Sequence, residues 1–328
     1  MKKVFVNRTE NYYKNIRDVR EGIENELTIS HVLKSPNPFT RTRLPYGTIL
    51  ARSLDIPKNP RILEVGPGLG DLAESLCGEL ESFHYTFMDV SSEFINYLKS
   101  KFRGSEFSFI IGDFLNIKTR EKFDLIICNE VLADLPTIVG MTFESPQVSE
   151  DEKETYYDAV SLAKLYGLKI SDIINFNYGA VKFLEKAANM LKEGGKVFVC
   201  EHSSKTPRRI RVYGHSEYTI NFDVLGKVAE RLGFRTKRGS LTRLLGINNK
   251  KAIIFYTQPE LKVLYNFFKR QGIFLDQKAY EIKEVIELLE KNGVQIPRKK
   301  DYAGFLEKHA KPLRKITDQF NYLILLSK

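Results

Sequence analysis

Ile62-Leu63-Glu64-Val65-Gly66-Pro67-Gly68-Leu69-Gly70-Asp71 is the stretch on which the reading of this chain turns. Arg61 to Val65 is apolar enough for a buried strand, and a glycine-rich turn follows at once. Glycines at the end of a first strand let the chain turn sharply and let a ligand approach the backbone without interference from Cβ. Such a turn is shared by phosphate-binding and dinucleotide-binding folds, so its details matter. The spacing here is G-x-G-x-G, and Asp71 stands where G-x-G-x-x-G would be completed. A carboxylate there opposes a pyrophosphate. The Lys-Ser/Thr pair of a phosphate-binding loop is also missing. A cofactor with an amino-acid tail, carrying an ammonium as well as a carboxylate, tolerates nearby acids.

Working outward, strands and helices alternate. Leu44 to Leu54 reads as a helix leading into the first strand, and Asp71 to Gly78 as the helix after it. Phe83 to Val90 is aromatic and β-branched, hence a strand, with Ser91 as N-cap of the next helix. Phe107 to Ile111 and Phe123 to Cys128 are two more short strands. Tyr178 to Leu191 reads as a helix ended by Gly194-Gly195, and Lys196 to Glu201 as a strand. The alternation predicts an α/β fold, a parallel sheet with helices on both faces. Met1 to Leu33 reads as a charged helical lead-in, broken by Ser35-Pro36-Asn37-Pro38. Glu144 to Ile173 and Gln258 to Ile316 interrupt the pattern, the latter with amphipathic helices such as Tyr280 to Asn292. The apolar run Tyr322 to Leu326 reads as a last strand returning to the sheet. The expected organisation is therefore a lead-in (1–55), a core (56–257, with an insertion about 141–175), a helical insertion (258–316) and a final core strand (317–328).

Acids stand at successive strand ends. Asp89 ends the second strand, where a carboxylate can accept both hydroxyls of a ribose. Gly112-Asp113 follows the third, where a side-chain oxygen could meet an adenine amino group. Each alone is usually a turn residue; together they point to an adenosyl cofactor. The set resembles the class I methyltransferases that use S-adenosylmethionine. That resemblance implies a Rossmann-like, seven-stranded, mostly parallel sheet with an antiparallel last strand. It also implies a cofactor site of Glu64, Gly66, Gly68, Gly70, Asp89, Val90, Gly112, Asp113, Phe114 and Asn129.

At the fourth strand end stands Cys128-Asn129-Glu130-Val131-Leu132-Ala133-Asp134-Leu135-Pro136. It resembles the N-E-x-x-D-A-L-P motif of the MidA-like family, relatives of the mitochondrial complex I assembly protein-arginine methyltransferase. Ser35-Pro36-Asn37-Pro38-Phe39, Gly194-Gly195 to Glu201, Asn221-Phe222, Gly239-Ser240-Leu241 to Leu245-Gly246-Ile247 and Phe320 to Ser327 resemble further pieces in order. Departures are Arg41-Thr42-Arg43-Leu44-Pro45 in place of G-D-F-x-T-x-P-E, Asp134 one place late, and the longer Gln258 to Ile316. The resemblance implies methylation of an arginine of a partner protein, with Glu130, Asn129 and Asp134 as catalytic candidates. A guanidinium acceptor is permanently charged and needs carboxylates to fix it. The alternative role for Glu130 is to order a loop or a helix N-terminus.

Composition limits the other classes. The 328 residues are 42% hydrophobic and 28% charged, ordinary for a folded globular protein, with a formal charge of +10. No apolar run approaches the roughly 20 residues that span a bilayer, and the N-terminus has no secretory h-region, so a cytoplasmic protein without membrane contact is expected. Cys77, Cys128 and Cys200 are far apart and read as buried thiols; no spacing suggests a metal. Basic stretches at Lys205–Arg211, Arg235–Arg238 and Arg298–Lys300 suit a solvated surface or an anionic partner. RNA is accordingly the rival substrate, since the glycine loop also resembles ribosomal RNA adenine dimethyltransferases. Those enzymes carry Asn-Pro-Pro-Tyr or Asn-Leu-Pro-Tyr where this chain has Asn129-Glu130-Val131-Leu132. A non-enzymatic assembly factor that binds the cofactor is a third reading, and the sequence is silent on oligomeric state.

Overall fold

The computed structural model describes residues 3–19, 28–142, 146–168, 174–212, 214–247, 252–254, 259–276, 278–295, 299–309 and 312–327. Seven strands form the main sheet: β1 (Arg61–Val65), β2 (His84–Asp89), β3 (Phe107–Ile111), β4 (Phe123–Asn129), β5 (Leu191–His202), β6 (Arg235–Ser240) and β7 (Phe320–Leu326). Their spatial order is β6-β7-β5-β4-β1-β2-β3. β1 to β5 pair in parallel, whereas β7 runs antiparallel to both β5 and β6. This is the Rossmann-like, seven-stranded, mostly parallel sheet with an antiparallel last strand that the resemblance implied.

Period-two alternation places successive residues on opposite faces of the sheet. Ile62, Leu125, Ile127 and Phe198 join one buried cluster with the helix Tyr46–Leu54. Leu63, Val65, Ile126, Val197 and Val199 join the other with the helix Tyr178–Met190. Both faces are therefore covered, as a parallel sheet requires. Ser91 caps the helix Ser92–Lys101 by accepting from Phe94 N, as read from sequence. Phe268, Leu275, Tyr280, Leu289 and Leu306, from the segment before β7, lie in the same cluster as Tyr85 and Phe87.

Three local expectations need correction. The lead-in is not simply helical: Phe5–Asn7 is a strand, antiparallel to Thr137–Met141, which also pairs with Ile174–Phe176. Its signal was the short alternation Val4-Phe5-Val6, of which Val4 and Val6 are buried. Residues 20–27 of the lead-in lie outside those described, as do 143–145 and 169–173 of the first insertion; that insertion carries the helix Lys153–Leu165. The helix Tyr178–Met190 ends before Gly194, because β5 already starts at Leu191. The second insertion contains helices Pro259–Arg270, Ile282–Lys291, Lys299–His309 and Leu313–Thr317, and also a strand, Ala279–Glu281, paired with Ala252–Ile254.

β7 lies inside the sheet, between β5 and β6. Tyr322 lies opposite Cys200 and Leu326 opposite Lys196, and Leu323 and Leu325 are almost fully buried. Truncating either leucine to alanine removes buried methyl groups from a two-sided strand, so Leu325→Ala is expected to destabilise the fold by about 2–5 kcal/mol. Urea melts of the variant test this. A midpoint equal to that of the wild type would show that β7 is not integral to the sheet.

Candidate active site

The chain builds a crevice where the strand order reverses, between β1 and β4. Residues after β1, β3 and β4 are tied to their neighbours: Gly66 N donates to Met88 O, Gly112 N to Asp89 O and Glu130 N to Cys200 O, each at 2.8 Å. The strand ends are thus held level, and a cavity of about 1070 Å³ opens over them. Glu64, Gly66, Gly68, Asp89, Val90, Gly112, Asp113, Phe114, Asn129, Glu130 and Asp134 all line it. Gly70 does not. It caps the helix Asp71–Cys77 with φ +70°, and a Cβ there would lie 2.5 Å from the Phe102 ring, so its glycine serves packing.

The other two loop glycines meet different demands. Gly66 has φ +67°, and a Cβ would sit 2.3 Å from Val131 Cγ2. At Gly68 a Cβ would meet no protein atom within 4 Å, although the residue lines the cavity, so a ligand can approach its bare backbone. Asp89 is buried, accepts from Ser91 N at 2.8 Å, and its carboxyl is pushed up to about 7 by burial. Glu64 is also buried and is pushed up to about 8, again by burial, against the opposing hydrogen bond from Tyr85 Oη (2.8 Å). Two buried acids beside an open glycine loop suit a ligand that brings hydroxyls and positive charge, which would favour their ionised form. These residues fit an adenosyl cofactor with an ammonium and a sulfonium. Asp113 is less committed to a ligand, since its oxygens accept from Leu115 N (2.9 Å) and Asn116 Nδ2 (2.6 Å). Phe114 is buried against Phe183, with ring centroids 4.6 Å apart.

Asp71 lines the cavity with its charge engaged by neighbouring cations. Its Oδ2 lies 2.5 Å from His31 Nδ1, and Lys101 Nζ is 3.4 Å from Oδ1. Burial would raise its carboxyl, but the His31 hydrogen bond and the surrounding cations hold it below the usual range. The lead-in is fixed a second time at Glu130, whose φ is +59°. Both its carboxylate oxygens accept from Ile29 N at 3.0 Å, and Oε1 also accepts from Asn129 Nδ2 at 3.0 Å. Asn129 Oδ1 in turn accepts from Tyr46 Oη at 2.8 Å. Glu130 therefore does hold the first amide of the helix Ile29–Val32, while its side chain still lines the cavity.

Sequence reasoning missed the far wall. Glu201 Oε2 accepts from Ala133 N (3.2 Å), and its carboxyl is raised well above normal by burial and then by Glu217. Asp134, His215 and Glu217 each bring one ligand atom within 4.8 Å of the others, a set able to hold a metal ion. His215 Nε2 lies 2.9 Å from Glu217 Oε1, so the set is drawn together as an imidazole–carboxylate pair. Only the fold joins these distant positions. His31 carried no sequence signal either. Cys128 and Cys200 are buried with thiols pushed up by burial, as inert core residues are. No helix among the described residues is long and apolar enough to cross a membrane.

Residues 62–142 match a family model described as a methyltransferase domain. The chain is 28% identical over 242 residues to the ribosomal RNA small subunit methyltransferase A of Prochlorococcus marinus, covering 71% of this chain and 83% of that one. Among solved structures, it is similar to the N-methyltransferase NodS of Bradyrhizobium japonicum WM9 in complex with S-adenosyl-L-homocysteine (TM-score 0.41, 20% identity, 68% and 89% covered). It is also similar to the [4+2]-cyclase SpnF (TM-score 0.49, 12% identity, 99% and 98% covered). Sheet order, glycine loop and domain match define an S-adenosylmethionine-dependent methyltransferase.

The buried acids make a pH prediction for the ligand-free protein. Glu64 and Asp89 bind protons more tightly folded than unfolded, so their contribution is full below about pH 4, the unfolded range. It is lost as pH rises through about 7 for Asp89 and about 8 for Glu64. Glu64→Gln stays neutral throughout and can still accept from Tyr85. The difference in melting temperature, variant minus wild type, should therefore grow as pH rises from about 5 to about 8 and then level off. A difference constant with pH would show that Glu64 is charged throughout that range.

Proposed function

We propose that the enzyme methylates a cationic nitrogen of a partner protein, namely an arginine guanidinium. One observation carries this reading. Although the chain is strongly basic, acidic residues outnumber lysines and arginines by nine to four among the described residues lining the cavity, and still by six to four with Glu64, Asp89 and Glu201 counted as neutral. Such a lining attracts a cation and repels a phosphate. The likeness of Asn129–Pro136 to the MidA-like motif supports the same acceptor.

When bound, S-adenosylmethionine supplies a methyl group already activated by its sulfonium, so the protein's task is mostly positioning. Glu64, Gly66, Gly68, Asp89 and Asp113 would hold the cofactor. Glu130, at the end of β4, would orient the guanidinium and offset the charge of two cations brought close together. One guanidinium nitrogen would take the methyl group as its bond to sulfur breaks, leaving the neutral thioether product, and the N–H proton released would pass to a carboxylate oxygen of Glu130. Asp134 stands further along the same rim as a second acid, and Asn129 steadies Glu130 through its amide. A second reading, methylation of an RNA amino group, is favoured by the ribosomal RNA relative. It must bring phosphates past the same carboxylates and lacks a base-gripping proline and aromatic at Val131-Leu132.

Glu130→Gln keeps an oxygen for Ile29 N but removes the charge. Methyl transfer to protein is expected to fall about 10²-fold or more, while calorimetric affinity for S-adenosylmethionine stays near that of the wild type. Asp134→Asn should do less. Transfer by Glu130→Gln at the wild-type rate would reduce Glu130 to its helix-capping contact.

A further inference from the structure

Beside the cofactor cavity lies a second concavity of about 990 Å³ with opposite electrostatics. Its walls carry Arg8, Arg17, Arg209 and Arg211, and no Asp or Glu lies among its described lining residues. Arg8, Arg211 and Val212 line both spaces, so the groove continues from the cavity mouth. The hairpin Arg209–Val212/His215–Tyr218 forms a wall shared by the two spaces. Its register pairs Arg209 with Tyr218 and Arg211 with Ser216, which puts both arginines on one face and Ile210, His215 and Glu217 on the other. Arg209 is held in place by donating from Nε and Nη2 to Ser216 Oγ (2.9 and 2.7 Å). Arg8 donates to Thr155 Oγ1 at 3.1 Å and lies 3.9 Å from Glu10 Oε1. Arg17, Arg209 and Arg211 are exposed and form no ion pair among the described residues.

Four guanidiniums in one groove repel each other unless an anion joins them, and their planar forks match carboxylates as well as phosphates. The neighbouring cavity decides between these. A nucleic acid carries a charge at every step, including the one entering a space lined by Glu130, Asp134 and Glu217. A peptide can place a cation there and its anions only along the groove. Base stacking is also poorly served: the Tyr12 ring packs on the His215 ring at 4.4 Å, and a Cβ at Gly214 would lie 2.6 Å from it.

We propose that the arginine groove seats an acidic segment of the partner protein, adjoining the residue that enters the cavity for methylation. This inference rests on the protein-acceptor reading above. The substrate class it defines is bipolar, an arginine flanked by aspartates and glutamates.

The test separates docking from transfer. A fluorescein-labelled peptide of Asp, Glu and Gly, without arginine, is titrated with the full chain by anisotropy. Binding should weaken as salt rises and fall roughly tenfold or more in the double variant Arg17→Glu/Arg209→Glu. Both positions are exposed, and calorimetry with S-adenosylmethionine checks that the variant is folded. The milder Arg17→Ala/Arg209→Ala should fall between. In parallel, arginine peptides with acidic or neutral flanks are offered as methyl acceptors, and the acidic flanks should lower KM. Unchanged acidic-peptide binding in both variants overturns the proposal. So does tighter binding of a single-stranded oligoribonucleotide of equal charge that the same variants abolish. If acidic peptide binds through the groove but no arginine peptide is methylated, the docking surface stands and the arginine acceptor falls.

Discussion

The parallel register around β1 is the constraint on which the site depends. Val65 lies level with Met88 on one side and Cys128 on the other. Because the pairing is in step, Gly66, Asp89 and Glu130 emerge at one edge, and a shift of one residue would turn each side chain to the opposite face. The hydrogen bonds from Gly66 N, Gly112 N and Glu130 N to neighbouring strands extend that order just past the sheet. The helices leave the strand ends on both faces, so the edge opens at the point where the order reverses. The crevice is placed there by topology before any individual side chain contributes.

Electrostatics then separates the molecule into regions. The surface is basic overall, but the crevice gathers acids, and burial holds Glu64, Asp89 and Glu201 well above the normal carboxylate range. A neutral carboxyl can be kept in the core at tolerable cost, where an unpaired carboxylate could not. Asp71, by contrast, stays charged because His31 and Lys101 accompany it. The His31 contact and the Glu130 contact to Ile29 draw the lead-in across the glycine loop and the end of β4. The N-terminal segment is consequently part of the site wall, with Thr28, Ser30 and His31 lining the cavity.

Much of this was legible in the sequence. β1 and β3 coincide with the runs read as strands, and Ser91 caps as its position suggested, since these features depend on local periodicity and side-chain chemistry. β7 was legible because a compact apolar run after a charged segment has few other ways to be buried. The groups on the far wall were not. Glu217 and His215 lie on a hairpin of mixed polarity, and their meeting with Asp134 depends on how that hairpin folds over the end of β4. The strand Phe5–Asn7 was hidden by its charged surroundings, and the packing at Gly70, where a Cβ would collide with Phe102 and Leu98, had no sequence signal. Motif spacing reports the edge that motifs share; it carries little about side chains brought in from other elements.

The acceptor is the central claim, and following the methyl group itself tests it most directly. The full chain is incubated with S-adenosylmethionine labelled in the methyl group and with host lysate. Protein and RNA are then separated and hydrolysed completely. The account predicts label in methylated arginine from the protein fraction, insensitive to prior nuclease treatment. Label recovered in methylated nucleosides, with none in arginine, would contradict it.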